Sequence, residues 1–342
     1  VALGVYMTTL KDVAARAGVS PSTVSIVVNK KYNIRKISKA TREKVEKAVK
    51  ELNYCQSVAA KQLRSNISPN YMIGIYWASD ARAMIMGQLF AGVQRALNKS
   101  SLPIDITIKP YKIGHLSEEK NFLTNELYHA VILANMSEKD MSFLADVTPM
   151  IPTVLFNRYL PTYSSVTADS NNFVNQICSQ LMATNVKRIG VLAMEKPFTA
   201  VLERRLKLMD KLNSLGIEVS YTYYCPSKIG TRIGNEHINE ILSQSSGLPD
   251  CLYCDLSSYA CDIVKLLPLH GITVPRDVKV ITSSLGFSES AYYTDPPITV
   301  VEIPVEEISM RCMNLLIKTL KNPDLGIIHE QCEPVLHKRG SI

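Results

Sequence analysis

At 342 residues the chain is longer than one hydrophobic core usually serves, so two or three domains are expected and a single small module is excluded. Its 46% hydrophobic and 20% charged residues describe an ordinary globular protein, which excludes a disordered or fibrous one. The net charge of +7 is unevenly spread: residues 1–66 hold 13 Lys and Arg against 4 Asp and Glu (+9), while the other 276 hold 25 against 27 (−2). The basic surplus sits in the first fifth of the chain, where it suits a polyanion such as nucleic acid; the rest is nearly neutral.

Val1–Met7 is apolar but short, without a basic leader or a small-residue cleavage pattern, so it does not read as a signal peptide. No apolar run reaches the ~18 residues of a membrane helix, and a cytoplasmic chain with no membrane partner is expected. Thr9 can cap a first helix with Asp12 three positions on, as in a capping box. Leu10, Val13, Ala14 and Ala17 follow at helical spacing, and Gly18 supplies a left-handed stop. Ser20 caps a second helix that runs from Pro21 to about Val28 and turns Val24 and Val28 inward. Two helices about a short Gly-containing turn form a helix-turn-helix. Pro21, Ser22, Ser25 and Ile26 then face outward, where the start of such a helix meets base edges, and Thr23 suits phosphates. Ser38 caps a third helix, Lys39–Leu52, with Val45, Ala48, Val49 and Leu52 on one stripe.

Thr9–Ser20, Thr23-Val24-Ser25, Val28-Asn29, Thr41–Val45 and Glu51–Tyr54 together resemble the head of the lactose-repressor (LacI/GalR) family. The match is dense over some fifty residues, and the remaining spacing is consistent to the C-terminus. The resemblance implies double-stranded operator DNA as partner, and adds Thr9, Ser20 and Asn29 to the DNA-facing set. It also implies a hinge helix over Ser57–Arg64, ordered only on the operator, with Ala60, Lys61 and Leu63 in the minor groove. Leu63 would be the apolar wedge that bends the duplex; as a bare sequence it reads as a core leucine, but the flanking Lys61 and Arg64 suit phosphates and favour the wedge. Two departures stand out. Gln56 replaces a usual Pro, and Ile26 stands where a base-reading Arg or His is common, so operator preference should differ from the family norm.

From Met72 onward apolar strands alternate with amphipathic helices. In the first series, Ile73–Trp77 precedes a helix carrying Leu89, Phe90, Val93 and Leu97. Ile104–Ile108, a helix over Glu118–Leu127, and the strands Ala130–Ala134 and Thr153–Phe156 follow. A second series opens near Asn171: a helix to about Ala183, strand Arg188–Leu192, helix Phe198–Leu215 and strand Ile217–Tyr224. Helix Asn235–Leu242, strand Cys251–Cys254, helix Tyr259–Leu267 and strand Val278–Thr282 complete it. Such alternation means parallel sheets with helices on both faces, and two series imply two lobes with a ligand at the strands' C-terminal ends. The eight cysteines are expected as reduced thiols, and Cys251-Leu252-Tyr253-Cys254 as core residues of a buried strand rather than a metal or redox pair.

The fold class expected is therefore α/β: a three-helix head and hinge helix, then a periplasmic-binding-protein-like body of two doubly wound parallel sheets. The head is assigned 8–54 and the hinge and linker 55–71. The N-terminal lobe is assigned 72–168 with 303–329, and the C-terminal lobe 169–302 with 330–342. The resemblance implies three crossings between lobes, placed near Asp169, Thr299–Glu302 and Glu330, with a helix Pro304–Leu320 returning to the first lobe. It implies a homodimer too, with contacts along the body that include Ile308–Leu316.

For the effector pocket the resemblance is thinner. Arg205 is matched to a family arginine suited to a carboxylate or sugar hydroxyls, or is a surface helix residue. Asn157, Ser257 and Ser284 replace acids that commonly grip ligand hydroxyls. Trp77 could stack on a sugar ring or fill the core. A small-molecule effector is expected, a sugar, a phosphorylated sugar or another metabolite, with a protein partner as an alternative. The sequence shows no GxSxG, P-loop, HExxH or GxGxxG, so neither a cofactor, a metal nor an enzyme is expected. A solute-binding protein would share the body, and an α/β enzyme with a helical arm would need catalytic residues that are not found.

Overall fold

The computed structural model describes residues 10–28, 37–52, 70–79, 85–119, 122, 124, 127–225, 233–244, 247–286 and 288–342. The head contains α1 (Leu10–Ala17), α2 (Pro21–Val28) and α3 (Lys39–Glu51). Gly18, at φ +67°, ends α1, with Gly18 N donating to Ala15 O (3.4 Å) and Val19 N to Ala14 O (3.0 Å), the paired bonds of a Schellman turn. Ser20 Oγ then accepts from Thr23 N, and Ser38 Oγ from Thr41 N, each at 3.2 Å, so both following helices start on a serine cap. Val13, Ala14, Val24, Val27, Val45 and Ala48 make the core. Val27 rather than Val28 is the fully buried partner of Val24; Val28 is half-buried at the edge of the same apolar face. Arg16 meets Glu51 at 2.6 Å, tying α1 to α3.

The body is two six-stranded sheets. The first lobe holds β1 (Tyr71–Ser79), α4 (Met86–Leu97), β2 (Ile104–Lys112), β3 (Ala130–Ala134), α5 (Glu138–Ala145), β4 (Thr153–Phe156) and β5 (Ser164–Ala168). The second holds α6 (Ser170–Ala183), β6 (Arg188–Met194), α7 (Thr199–Ser214), β7 (Glu218–Cys225), α8 (Asn235–Leu242) and β8 (Cys251–Cys254). It continues with α9 (Ser257–Leu266), β9 (Lys279–Leu285), α10 (Glu289–Tyr292) and β10 (Thr299–Ile303). The chain then runs back through α11 (Val305–Lys321) and β11 (His329–Cys332) to β12 (Val335–His337). The strand orders are β11-β5-β4-β3-β1-β2 and β12-β10-β9-β8-β6-β7, parallel except where β12 runs antiparallel to β10. This is the expected α/β class.

The first crossing between sheets falls at Asp169 and the second at Pro304, just beyond Thr299–Glu302, which still belong to β10. The third was expected near Glu330 but lies between Cys332 and Val335, because His329–Cys332 are still paired with β5. Ile308–Leu316, expected at a dimer contact, is turned inward: Ile308, Cys312, Met313 and Leu316 are buried in the first lobe. There α11 lies so close to α4 that a Cβ on Gly92 would overlap Ser309 Oγ and the Glu306 carbonyl, and Arg95 meets Glu306 at 2.7 Å. Cys251 and Cys254 are buried on opposite faces of β8, one in each of two separate cores, so they cannot act as a pair. Burial pushes both thiols up. Among the described residues no helix is long and apolar enough to cross a membrane.

Two helices are not expected from the sequence, α5 and the four-residue α10. α5 opens on Ser137, whose Oγ accepts from Asp140 N while Asp140 accepts from Ser137 N, a reciprocal capping box. Asp140 is 1% exposed and also accepts from Gly114 N and Leu116 N at 3.0 Å, fastening the loop beyond β2. Within the expected helix Glu118–Leu127, Glu118 ends a 3-10 turn, Leu116–Glu118, and most of the remainder lies outside the described residues. Asp140→Ala strands those buried amides and is expected to cost roughly 3 kcal/mol in urea unfolding, with Asp140→Asn costing less.

Candidate functional site

The start of α2 offers the first site. Pro21 and Ser22 are exposed, and Thr23, Ser25 and Ile26 are half-buried, since the core is served by Val24 and Val27 on the opposite side. Ser20 is exposed but occupied: besides capping Thr23 N, its hydroxyl lies 2.8 Å from Ser22 Oγ and 2.9 Å from Thr23 Oγ1. The positive end of the helix dipole and three clustered hydroxyls therefore face solvent together, an arrangement that takes anionic groups. Lys11, Lys39, Lys44, Lys47 and Lys50 are exposed on the neighbouring helices. Thr9, Asn29, Ala60, Lys61 and Leu63 lie outside the described residues.

The second site is a cavity of about 730 Å³ between the lobes. One wall is the C-terminal end of the first sheet: Asn157 and Arg158 after β4, Thr167 on β5, Gln331 on β11, and Ser142 of α5. The other wall is the start of α6 (Asp169–Asn171) and the first turns of α7. Asn157 adopts φ +50°, a left-handed conformation that Asn tolerates, and its Oδ1 accepts from Ala168 N at 3.1 Å. Arg158 is pinned by donating to the carbonyls of Met136 (3.2 Å) and Asn157 (2.7 Å). Asp169 caps α6, accepting from Asn171 N and Asn172 N at 2.9 Å.

On α7 the residues that reach the cavity are Thr199, Ala200, Glu203, Arg204 and Lys207, spaced as one helical face. Glu203 and Lys207 pair with each other at 3.0 Å at the rim. Arg204 is only 5% exposed, with its guanidinium 5.3 Å from the centre of the Phe173 ring. Burial works against its charge, partly offset by Tyr253, Glu203 and Asp255.

The arginine singled out from sequence, Arg205, is turned ~100° away and spent inside the lobe. It meets Asp255 at 2.7 Å and donates to Met194 O at 3.2 Å. Asp255 is the acid at the C-terminal end of β8, two positions before Ser257, where sequence had suggested that the acid was lost. Burial raises its carboxyl above the ordinary range, against the pull of Met194 N and Arg205. Of the other expected pocket residues, Asn157 lines the cavity. Trp77 is 2% exposed in the core between β1 and the helices α4 and α11, because odd-numbered residues of β1 face those helices. Ser257 begins α9 and Ser284 is buried on β9; neither lines this cavity. Sequence thus missed Arg204, although the face 199, 200, 203, 204, 207 was legible once α7 was placed against α6.

Known proteins bear on both sites. The family described as bacterial regulatory proteins, lacI family, matches residues 9–57, and the periplasmic binding protein-like domain matches residues 178–342. The chain is 25% identical over 341 residues to the ribose operon repressor of Escherichia coli, covering 98% of this chain and 100% of that one. It is 24% identical over 324 residues to the probable HTH-type transcriptional repressor ExuR of Bacillus subtilis, covering 93% of each. Among solved structures, a LacI family transcription regulator from Clostridium acetobutylicum superposes with a TM-score of 0.71 at 25% identity, over 79% of this chain and all of that one. A lac repressor dimer bound to operator and the anti-inducer ONPF shares the fold at a TM-score of 0.67 and 20% identity, over 98% of this chain and 99% of that one. With the helix-turn-helix head and the two-lobed body in one chain, the protein belongs to the LacI family and is a DNA-binding transcriptional regulator with a periplasmic-binding-protein-like effector domain.

Proposed function

We propose that the protein is a repressor that binds a palindromic operator as a homodimer and is switched by a small molecule held in the interlobe cavity. The observation that carries the DNA half is the start of α2, which presents Pro21 and Ser22 to solvent in a head whose other two helices expose five lysines. Two such heads would read two half-sites of an inverted repeat. Ser25 and Ile26 would lie toward base edges and Thr23 toward phosphate, with Thr9, Ser20 and Asn29 completing the contact. By resemblance, Ala60, Lys61 and Leu63 of the hinge segment would enter the minor groove, Leu63 as the wedge. The relatives named as repressors support the sign of regulation, and the lac repressor dimer on operator supports the assembly.

The effector half rests on the cavity, whose walls belong to different lobes joined by three crossings. A ligand that bridges Asn157 and Thr167 on one side and Arg204 on the other favours one degree of closure. A coupling of ~1–3 kcal/mol between closure and head spacing is enough to switch the operator. A cellobiose complex is known for one structural relative, the transcriptional regulator CelR. Trp77, Ser257 and Ser284 have no part in the cavity contact proposed here, and Arg205 acts by holding β8 to α7.

Selection of duplexes from a random pool by the full chain, followed by gel shift, tests the reading. An inverted repeat bound far more tightly than random duplex is expected, with log affinity falling by about 0.9 per log salt for each phosphate neutralised. A salt-independent or sequence-indifferent interaction would remove it.

A further inference from the structure

The charges around the cavity do not balance locally. Arg204 is buried and lines the cavity, yet among the described residues its guanidinium has no hydrogen-bond acceptor; it lies 5.3 Å from the centre of the Phe173 ring. A guanidinium, which keeps its charge, thus borders a space between two lobes with N–H donors left unpaired. Nearby carboxylates are engaged or remote from this role: Glu203 pairs with Lys207, Asp169 caps α6, Asp255 pairs with Arg205, and Glu138 is exposed on the opposite lobe. The first turn of α7 lies against the same space. Its cap position is Phe198, which offers no side-chain acceptor, so the Thr199 and Ala200 amides, both at the cavity wall, lack the cap that Asp169 gives α6. Side chains on a helix lean toward its N-terminus, so Arg204, four residues after Ala200, reaches back over that turn.

We propose that the effector is an anion whose phosphate or carboxylate sits between Arg204 and the first turn of α7, its hydroxyls facing Asn157, Thr167 and Gln331 across the cavity. This rests on reading the cavity as the effector site. A neutral sugar would leave a buried guanidinium without a counter-charge; a phosphate or carboxylate supplies one, in the fork geometry that Arg prefers, at the positive end of a sixteen-residue helix.

The test uses the full chain at constant ionic strength, with thermal shift and calorimetric titration of inorganic phosphate, glucose 6-phosphate, glucuronate and glucose. Phosphate alone is expected to raise Tm, and either the sugar phosphate or the sugar acid to raise it further, which identifies the anionic group. Arg204→Gln is expected to weaken anion binding by about tenfold or more. Lys211→Gln removes the same charge from the same helix outside this cavity and is expected to change nothing. Arg204→Met, which keeps packing on Phe173, is expected to leave the ligand-free chain at least as stable, since an uncompensated buried charge is removed. The proposal is overturned if no anion shifts the wild-type chain, if Arg204→Gln binds anions undiminished, or if glucose binds as tightly as its phosphate. Duplex binding by the same preparations separates the two readings: intact DNA binding with no anion response defeats this proposal alone.

Discussion

Asp255→Ala is expected to destabilise the second lobe by about 3–5 kcal/mol, because it leaves the Arg205 guanidinium buried beside an apolar gap. Arg205 and Asp255 are both nearly inaccessible, and the same carboxylate oxygen also accepts from Met194 N at 2.8 Å. The pair therefore joins α7, the end of β6 and the end of β8 at one point. A double variant, Arg205→Met with Asp255→Asn, removes both charges and keeps an acceptor for Met194 N. It is expected to recover most of the loss, since buried ion pairs contribute little over apolar replacements of like volume. Urea unfolding followed by circular dichroism measures both. Fluorescence of Trp77, the only tryptophan, reports the first lobe alone, so a shift confined to the dichroism signal would place the damage correctly. A loss below about 1 kcal/mol for Asp255→Ala would show that the carboxylate is not what holds the arginine.

Ser22→Glu is the second large effect, and its two consequences have opposite signs. At the second position of α2 a carboxylate meets the positive end of the helix and should stabilise the head by about 0.3–1 kcal/mol. On the proposed reading the same charge is carried into the groove of a polyanionic duplex, and like charges brought together at an interface cost several kcal/mol. Operator affinity is therefore expected to fall by about a hundredfold or more, while the Tm of the head does not fall. Ligand-induced stabilisation of the body should be unchanged, because the cavity walls contain no residue of the head. Equal operator affinity for Ser22→Glu and wild type would mean that the start of α2 does not face the duplex.

Local chemistry made most of the architecture legible. The serine caps at Ser20 and Ser38 and the left-handed Gly18 are each decided within a few residues, and the head follows from them. Uninterrupted apolar runs such as Ala130–Ala134 and Cys251–Cys254 announce strands covered on both faces. The helix α5 was missed although Ser137 and Asp140 stand at capping-box spacing, since its eight residues bury few apolar groups and leave a weak periodic signal. The crossing after Cys332 was misplaced by a few residues, because whether a short edge strand pairs with one sheet or the other depends on residues far away in sequence.

By itself the sequence determined the class of the protein: a basic three-helix head and two parallel-sheet lobes, each set by caps, turns and hydrophobic period acting over a few residues. Only the tertiary structure decided which arginine lines the cavity between the lobes. Arg204 and Arg205 are adjacent and chemically identical, and ~100° of helix rotation separates them. Packing of Leu208 and Leu212 into the second lobe sets that rotation, so that one guanidinium meets Asp255 inside the lobe and the other is left in the cavity.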